Sequence, residues 1–132
     1  FLQRLREGTW PGHIMEHVAL ELQNLTDMQT GFGKARSTHV RGVYKVVIRT
    51  RQEEVGRAAL QAARDLVMAA IDDQPFDVCG TVSTLRAMVD SMCLGPSTAN
   101  IVDAATARDI PHIRLNDGNL VQLGYGEAQR RI

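Results

Sequence analysis

The chain has 132 residues, enough to bury one modest core, or one small domain with part of a second. Lys+Arg and Asp+Glu each number 15, so the formal net charge is zero and no basic stripe marks nucleic acid as a partner. Apolar content of 44% suits a globular protein, and no apolar run approaches the roughly 18–20 residues of a membrane span.

Phe1, Leu2 and Leu5 carry apolar side chains at helical spacing. Thr9-Trp10-Pro11 then supplies a helix start, with Thr9 as N-cap and Pro11 in the first turn. This helix is predicted to run to about Leu25, with Ile14, Met15, Val18, Leu22 and Leu25 as its core stripe. Gly31-Phe32-Gly33 and Arg41-Gly42 mark a loop around the polar stretch from Lys34 to His39. Val43 to Thr50 alternates as a strand, with Tyr44, Val46 and Ile48 on one face and Val43, Lys45, Val47 and Arg49 on the other. A second helix is expected from Gln52 to Asp72, turning Val55, Ala59, Ala63, Leu66 and Ile71 inward, and Pro75 breaks it. A third covers Val82, Leu85, Val89 and Met92.

A second unit is expected near Leu94-Gly95-Pro96, dividing the chain into residues 1–92 and 93–132. Ser97 reads as the cap of a helix to Ala107, with an anion site at that helix start as the alternative. His112 to Leu115, the turn Asn116-Asp117-Gly118-Asn119, and Leu120 to Tyr125 read as a hairpin. The fold class is α/β (α+β): a helix–strand–helix domain followed by a helix and hairpin. Cys79 and Cys93 make no disulfide scaffold and read as reduced thiols. The chain opens at Phe1 without a methionine and stops just after a strand-like segment, which reads as a piece of something longer.

The motif with most chemical content is His13-Ile14-Met15-Glu16-His17, an H-x-x-E-H within the first long helix. Residues four apart lie one turn above each other, so His13 and His17 can aim two imidazoles at one metal ion. Glu16 beside them is the candidate general base for a metal-bound water, the inverted-zincin arrangement of metallopeptidases. A polar helix face with two histidines a turn apart accounts for the same residues. A zinc site also needs a third ligand, and Glu54, with Glu53 as alternate, opens the next helix. Those two glutamates equally complement the helix dipole in its first turn. Glu21, four residues after His17, is the candidate partner for that ring's other nitrogen. His39 is a substitute ligand of lower rank, and His112 reads as structural.

Gly8-Thr9-Trp10-Pro11-Gly12-His13 through Glu21-Leu22-Gln23, with Gly31-Phe32-Gly33, Gly42-Val43-Tyr44 and Glu53-Glu54-Val55-Gly56-Arg57, resembles the amino-terminal domain of the cyanophycin synthetase family. Leu94-Gly95-Pro96-Ser97-Thr98, Ile101-Val102-Asp103-Ala104-Ala105, Arg114-Leu115-Asn116 and Leu120 to Gly126 resemble the start of that family's ATP-grasp domain. The resemblance covers nearly the whole chain in order. It implies a large cytoplasmic, homo-oligomeric ligase that uses ATP and Mg²⁺ to add Asp to the end of a poly-aspartate chain and Arg to its side-chain carboxylates. The amino-terminal domain is implied to hold the polymer, and in some members to trim it into primers at a metal-dependent peptidase site. The 132 residues show no P-loop, and the Mg²⁺ carboxylates of an ATP-grasp core are expected beyond Ile132, so ligation by this piece alone is not expected. Cyanophycin presents both carboxylates and guanidinium groups. Lys34, Arg36, Arg41, Arg49 and Arg51 are therefore the candidate polymer-binding cations, with Glu16, Glu53 and Glu54 available to arginine side chains. A mixed solvated surface explains any one of these charges equally well.

Overall fold

The computed structural model describes residues 1–132. The chain divides into two compact units, Phe1–Val89 and Asp90–Ile132, and the dividing point falls inside a helix, three residues before the expected boundary at Met92.

The first unit is built around one helix. After a short helix α1 (Leu2–Glu7), helix α2 (Pro11–Asn24) starts with Pro11 in its first turn, where the fixed φ is already helical and no donor is lost. Trp10, in extended conformation, is the N-cap residue, and no side chain caps the helix. The expected cap from Thr9 is therefore corrected: its hydroxyl lies 2.9 Å from Nδ1 of His13 instead. Strands β1 (Gly33–Ser37) and β2 (Tyr44–Ile48) form an antiparallel hairpin, pairing Gly33 with Ile48 through to Ser37 with Tyr44. Helix α3 (Glu53–Ile71) is capped by Gln52, whose side chain accepts the backbone N–H of Glu54. Helix α4 (Val78–Met92) follows, with Asp77 Oδ1 accepting the N–H of Gly80 at 2.8 Å.

Helix α2 packs against both strands on one side and α3 on the other. This arrangement moves its buried stripe. Gly12, Glu16, Ala19, Leu20, Leu22 and Gln23 are buried, whereas Ile14, Met15 and Val18 are only half-buried and Leu25 is exposed. A helix between two layers needs small residues where backbones approach. A Cβ on Gly12 would stand 2.8 Å from Cβ and Cγ of Tyr44, and one on Gly33 would stand 2.6 Å from Cγ of Glu16. On the other side Ala19, Ala59 and Ala63 are fully buried. Val55 and Val67 complete the α3 stripe, while Leu66 is half-buried and Ile71 solvent-exposed. Gln23 is fully buried as well. Its Nε2 donates to the carbonyls of Ala19 and Arg49, tying α2 to the end of β2, and its Oε1 has no partner. Arg86 on α4 donates to the carbonyl of Leu25 at 2.6 Å, holding α4 to the end of α2.

The segment read as a loop, Lys34 to His39, holds all of β1 but its first residue, Gly33. Its composition has little strand propensity, so pairing with β2 makes it a strand and Gly33 and Ala35 let α2 lie across it. The connection closes with Thr38 N–H on Val43 O at 3.0 Å and Gly42 at φ +82°, a left-handed conformation suited to glycine.

In the second unit, helix α5 (Pro96–Thr106) is followed by strands β3 (His112–Arg114), β4 (Val121–Leu123) and β5 (Arg130–Arg131), antiparallel in that order. Strand β5 was not anticipated. Gly95 is the N-cap residue of α5 and Ser97 makes no capping bond, because Pro96 already occupies the first helical position. The guanidinium of Arg114 reaches the carbonyls of Asp117, Gly118 and Met92, which staples the turn. Val102, Ala105 and Val121 form the small core. No helix of the chain is long and apolar enough to cross a membrane.

Candidate functional site

His13 and His17 project from the first half of α2 with their Nε2 atoms 3.1 Å apart. The aromatic ring of Phe1 covers His17 at 4.3 Å between centroids. Burial holds the His17 ring below the ordinary 6.5 of a histidine, and the neighbouring His13 adds to this, partly offset by Glu16. Two imidazole nitrogens on a tetrahedral zinc, each at about 2.0–2.1 Å, would stand about 3.3–3.4 Å apart. The pair therefore has nearly the separation of two ligands.

The other expected members do not join it. Glu16 is buried at 8% exposure, with its side chain turned onto Gly33 of β1. Thr50 Oγ1 bonds Met28 Sδ, and Gln23 bonds Arg49 O, so the start of α3 lies at the C-terminal end of α2, away from His13 and His17. There Glu53 pairs with Arg57 at 2.6 Å, and Glu54 sits in the capped first turn. No group of three or more His, Cys, Asp or Glu side chains is gathered in a way that could hold a metal ion. The donors of this chain thus fit two positions of a zinc site and leave the third unfilled. Glu21 is exposed, with the ring bond of His17 made to His13. His39 is exposed in the β1–β2 connection, and His112 lies on β3 beside Thr106.

The cations sort themselves differently. Strand alternation turns Gly33, Ala35, Tyr44, Val46 and Ile48 toward α2 and leaves Lys34, Arg36, Lys45 and Val47 exposed on the outer face. Lys34 faces Val47 and Arg36 faces Lys45 across the ladder. Arg49 extends the row, its guanidinium 5.8 Å from the ring of Phe32. Arg41 is exposed in the connection and Arg51 is exposed just before α3. Between Asp27 and Glu53 the sequence has no acidic residue, while it carries the six cations Lys34, Arg36, Arg41, Lys45, Arg49 and Arg51. Like charges directly opposite one another weaken a sheet, which makes the Arg36–Lys45 pair a cost to folding. Lys45, Val47 and Phe32 were not among the expected site residues. Strand alternation with Arg49 was the signal for Lys45, but β1 had to be recognised before Lys34 and Arg36 could be put on the same face.

A cleft of about 240 Å³ lies beside this sheet, lined by Arg4, Gly8, Thr9, Trp10, His13 and Ala35. Trp10 stacks on Tyr44 with centroids 6.4 Å apart and remains 54% exposed.

Residues 1–72 match the family model described as the cyanophycin synthase-like N-terminal domain. The chain belongs to that family. It is similar over its full length to cyanophycin synthetases of Crocosphaera subtropica (44% identical over 135 residues) and Synechocystis sp. (45% over 135 residues), and it covers 16% of each. The cyanophycin synthetase of Trichormus variabilis is 44% identical over the whole chain, which covers 15% of it. The chain thus spans about a sixth of the length of these curated relatives, and the family match ends one residue past α3.

Proposed function

We propose that this chain contributes a polymer-holding surface to an ATP-dependent ligase that builds cyanophycin from Asp and Arg. The observation that carries the reading is the outer face of the β1–β2 hairpin, where Lys34, Arg36, Lys45 and Arg49 form one row with no acidic residue between Asp27 and Glu53. Carboxylates of an extended polymer can pair with such a row, and the exposed Arg41 in the β1–β2 connection lengthens it. The similar proteins are cyanophycin synthetases, and this makes cyanophycin the polymer. ATP and Mg²⁺ are assigned to parts of the relatives that this chain does not span. ATP turnover with Asp and a primer by these 132 residues alone would overturn that assignment.

Co-sedimentation with cyanophycin tests the surface. The triple variant Lys34→Glu/Arg36→Glu/Lys45→Glu is expected to lose binding by about tenfold or more, since each exposed pair contributes about 0.2–1 kcal/mol and three are reversed. All three side chains are exposed, so circular dichroism should be unchanged. Equal binding by the triple variant would remove the hairpin face from the function.

A second reading, metal-dependent trimming of the polymer, is supported by the 3.1 Å approach of His13 and His17. When bound, zinc would supply an activated water and a polarised carbonyl. In this chain the two imidazoles would hold it, and a third donor would have to come from outside the pair's present neighbours. Mass spectrometry of metal content, wild type against His13→Ala/His17→Ala, decides it. One zinc per chain lost in the variant supports the reading, and no zinc after incubation with the metal ends it.

A further inference from the structure

The turn that closes the β3–β4 hairpin carries a chemistry of its own. Asp117-Gly118 is the one place in the chain where an aspartate or asparagine is followed by glycine. Both residues are exposed, and neither the Asp117 carboxylate nor the Gly118 N–H is held by a hydrogen bond. The two asparagines of the same turn are engaged. Asn116 Oδ1 accepts the N–H of Leu120 at 3.3 Å, and Asn119 Oδ1 accepts that of Gly95 at 2.8 Å. With no Cβ on Gly118, its nitrogen stands open to the side chain before it.

Arg114 supplies the second half of the arrangement. Its Nη2 donates to the Asp117 carbonyl at 2.6 Å and its Nε to the Gly118 carbonyl at 2.9 Å, while Nη1 donates to the carbonyl of Met92. The Asp117 carbonyl and the Gly118 N–H belong to one peptide group. When that N–H gives up its proton, the negative charge spreads onto the Asp117 oxygen, where the guanidinium already sits. A hydrogen bond that favours the charged form makes the proton easier to lose.

From this we infer that Asp117-Gly118 is a self-modification site, where the chain isomerises to isoaspartate with Arg114 as the positioning residue. The deprotonated Gly118 nitrogen attacks Cγ of the protonated Asp117 carboxyl. The N–Cγ bond forms, the Cγ–OH bond breaks with loss of water, and the amide proton passes to solvent. The product is a succinimide ring, which water reopens. Breaking N–Cγ restores Asp117, whereas breaking the bond from nitrogen to the Asp117 main-chain carbonyl carbon leaves the backbone running through Cγ. One water leaves and one returns, so solvent is the only co-reactant. The new linkage adds a carbon to the main chain, about 1.5 Å of extra length. One guanidinium then no longer fits all three carbonyls, and the ties of the turn to Met92 and Gly95 loosen.

Peptide mapping of aged protein by electron-transfer fragmentation, which separates isoaspartate from aspartate, tests this. In mildly acidic buffer isoaspartate is expected at position 117 about tenfold or more faster than at any other aspartate. Gly118→Ala would place a Cβ 3.3 Å from Asn116 Oδ1, the movable end of a side chain, so it folds. It should slow the reaction about tenfold by crowding the nitrogen. Arg114→Gln separates chemistry from looseness, because a freed turn closes the ring faster and a lost polarising group closes it more slowly. A slowing of about tenfold is expected. Wild-type protein in urea, where Arg114 has left the turn, should slow likewise, which covers a variant that fails to fold. Isoaspartate no more frequent at 117 than elsewhere, or an unchanged rate in Gly118→Ala, overturns the site. An equal or faster rate in Arg114→Gln or in urea overturns the role of Arg114. Hydrogen exchange of the aged protein should quicken at the Gly95 amide, and unchanged exchange there overturns the loosening.

Discussion

Gly12 carries two opposed effects at one position. It sits in the first turn of α2, where alanine has the better helix propensity by up to about 1 kcal/mol. A Cβ there would nevertheless stand 2.8 Å from the Tyr44 side chain. The clash is with atoms close to the sheet backbone and cannot be relieved by a distant rotamer. Gly12→Ala is therefore expected to destabilise the protein by about 1–3 kcal/mol, read as a lower urea midpoint. A stabilised Gly12→Ala would show that α2 and β2 separate easily. His17 supplies a pH dependence. Its folded pKa is lowered by burial and by His13, so at mildly acidic pH the unfolded chain binds more protons. The contribution is present above about pH 6.5 and is lost as pH falls through the lowered folded value. In chelator-treated protein, melting temperature should drop on acidification below that point, and His17→Gln should flatten the drop. The H-x-x-E-H spacing was legible in the sequence, and the His13–His17 approach follows from helix geometry alone. The direction of Glu16 was not, because it depends on Gly33, a residue from a strand that the sequence did not announce.

Among the elements, α2, α3 and β2 were readable because their periodicity comes from their own residues. Observed boundaries of Pro11–Asn24 and Glu53–Ile71 lie within one or two residues of those expected. Strand β1 was not readable, since Gly-Lys-Ala-Arg-Ser has neither β-branched residues nor alternation of apolar side chains. It becomes a strand through its ladder with β2 and its contact with α2. The α2–α3 interface tests the packing argument at this scale. Ala63 is fully buried where the two helices pack. Ala63→Leu should cost about 1–3 kcal/mol through overpacking, measured by denaturant unfolding. A neutral result would mean that the alanines do not set the helix separation. Ala19 is likewise fully buried on α2, and Gln23 is buried through its bonds to the carbonyls of Ala19 and Arg49.

The whole molecule consists of two units with unequal means of stabilisation. Phe1–Val89 has a core running through Ala19, Leu22, Val55, Ala59, Ala63 and Val67, whereas Asp90–Ile132 relies on Val102, Ala105 and Val121. A unit near 40 residues is close to the lower limit for stability from burial alone. Hydrogen exchange should therefore show amides of α5 and β3–β5 exchanging at least tenfold faster than the central turns of α2 and α3. Equal protection would mean that the second unit draws stability from more than its own core. The sequence by itself determined the helical elements, the adjacency of His13 and His17, and membership of the family, all of which rest on local spacing or on ordered residue identity. Tertiary structure alone decided that Lys34, Arg36 and Lys45 share one face, that Glu53 and Glu54 stand apart from the histidines, and that Trp10 and Arg4 share a cleft. Those relations join segments separated in the chain, and strand pairing and helix packing fix such distances where residue spacing cannot.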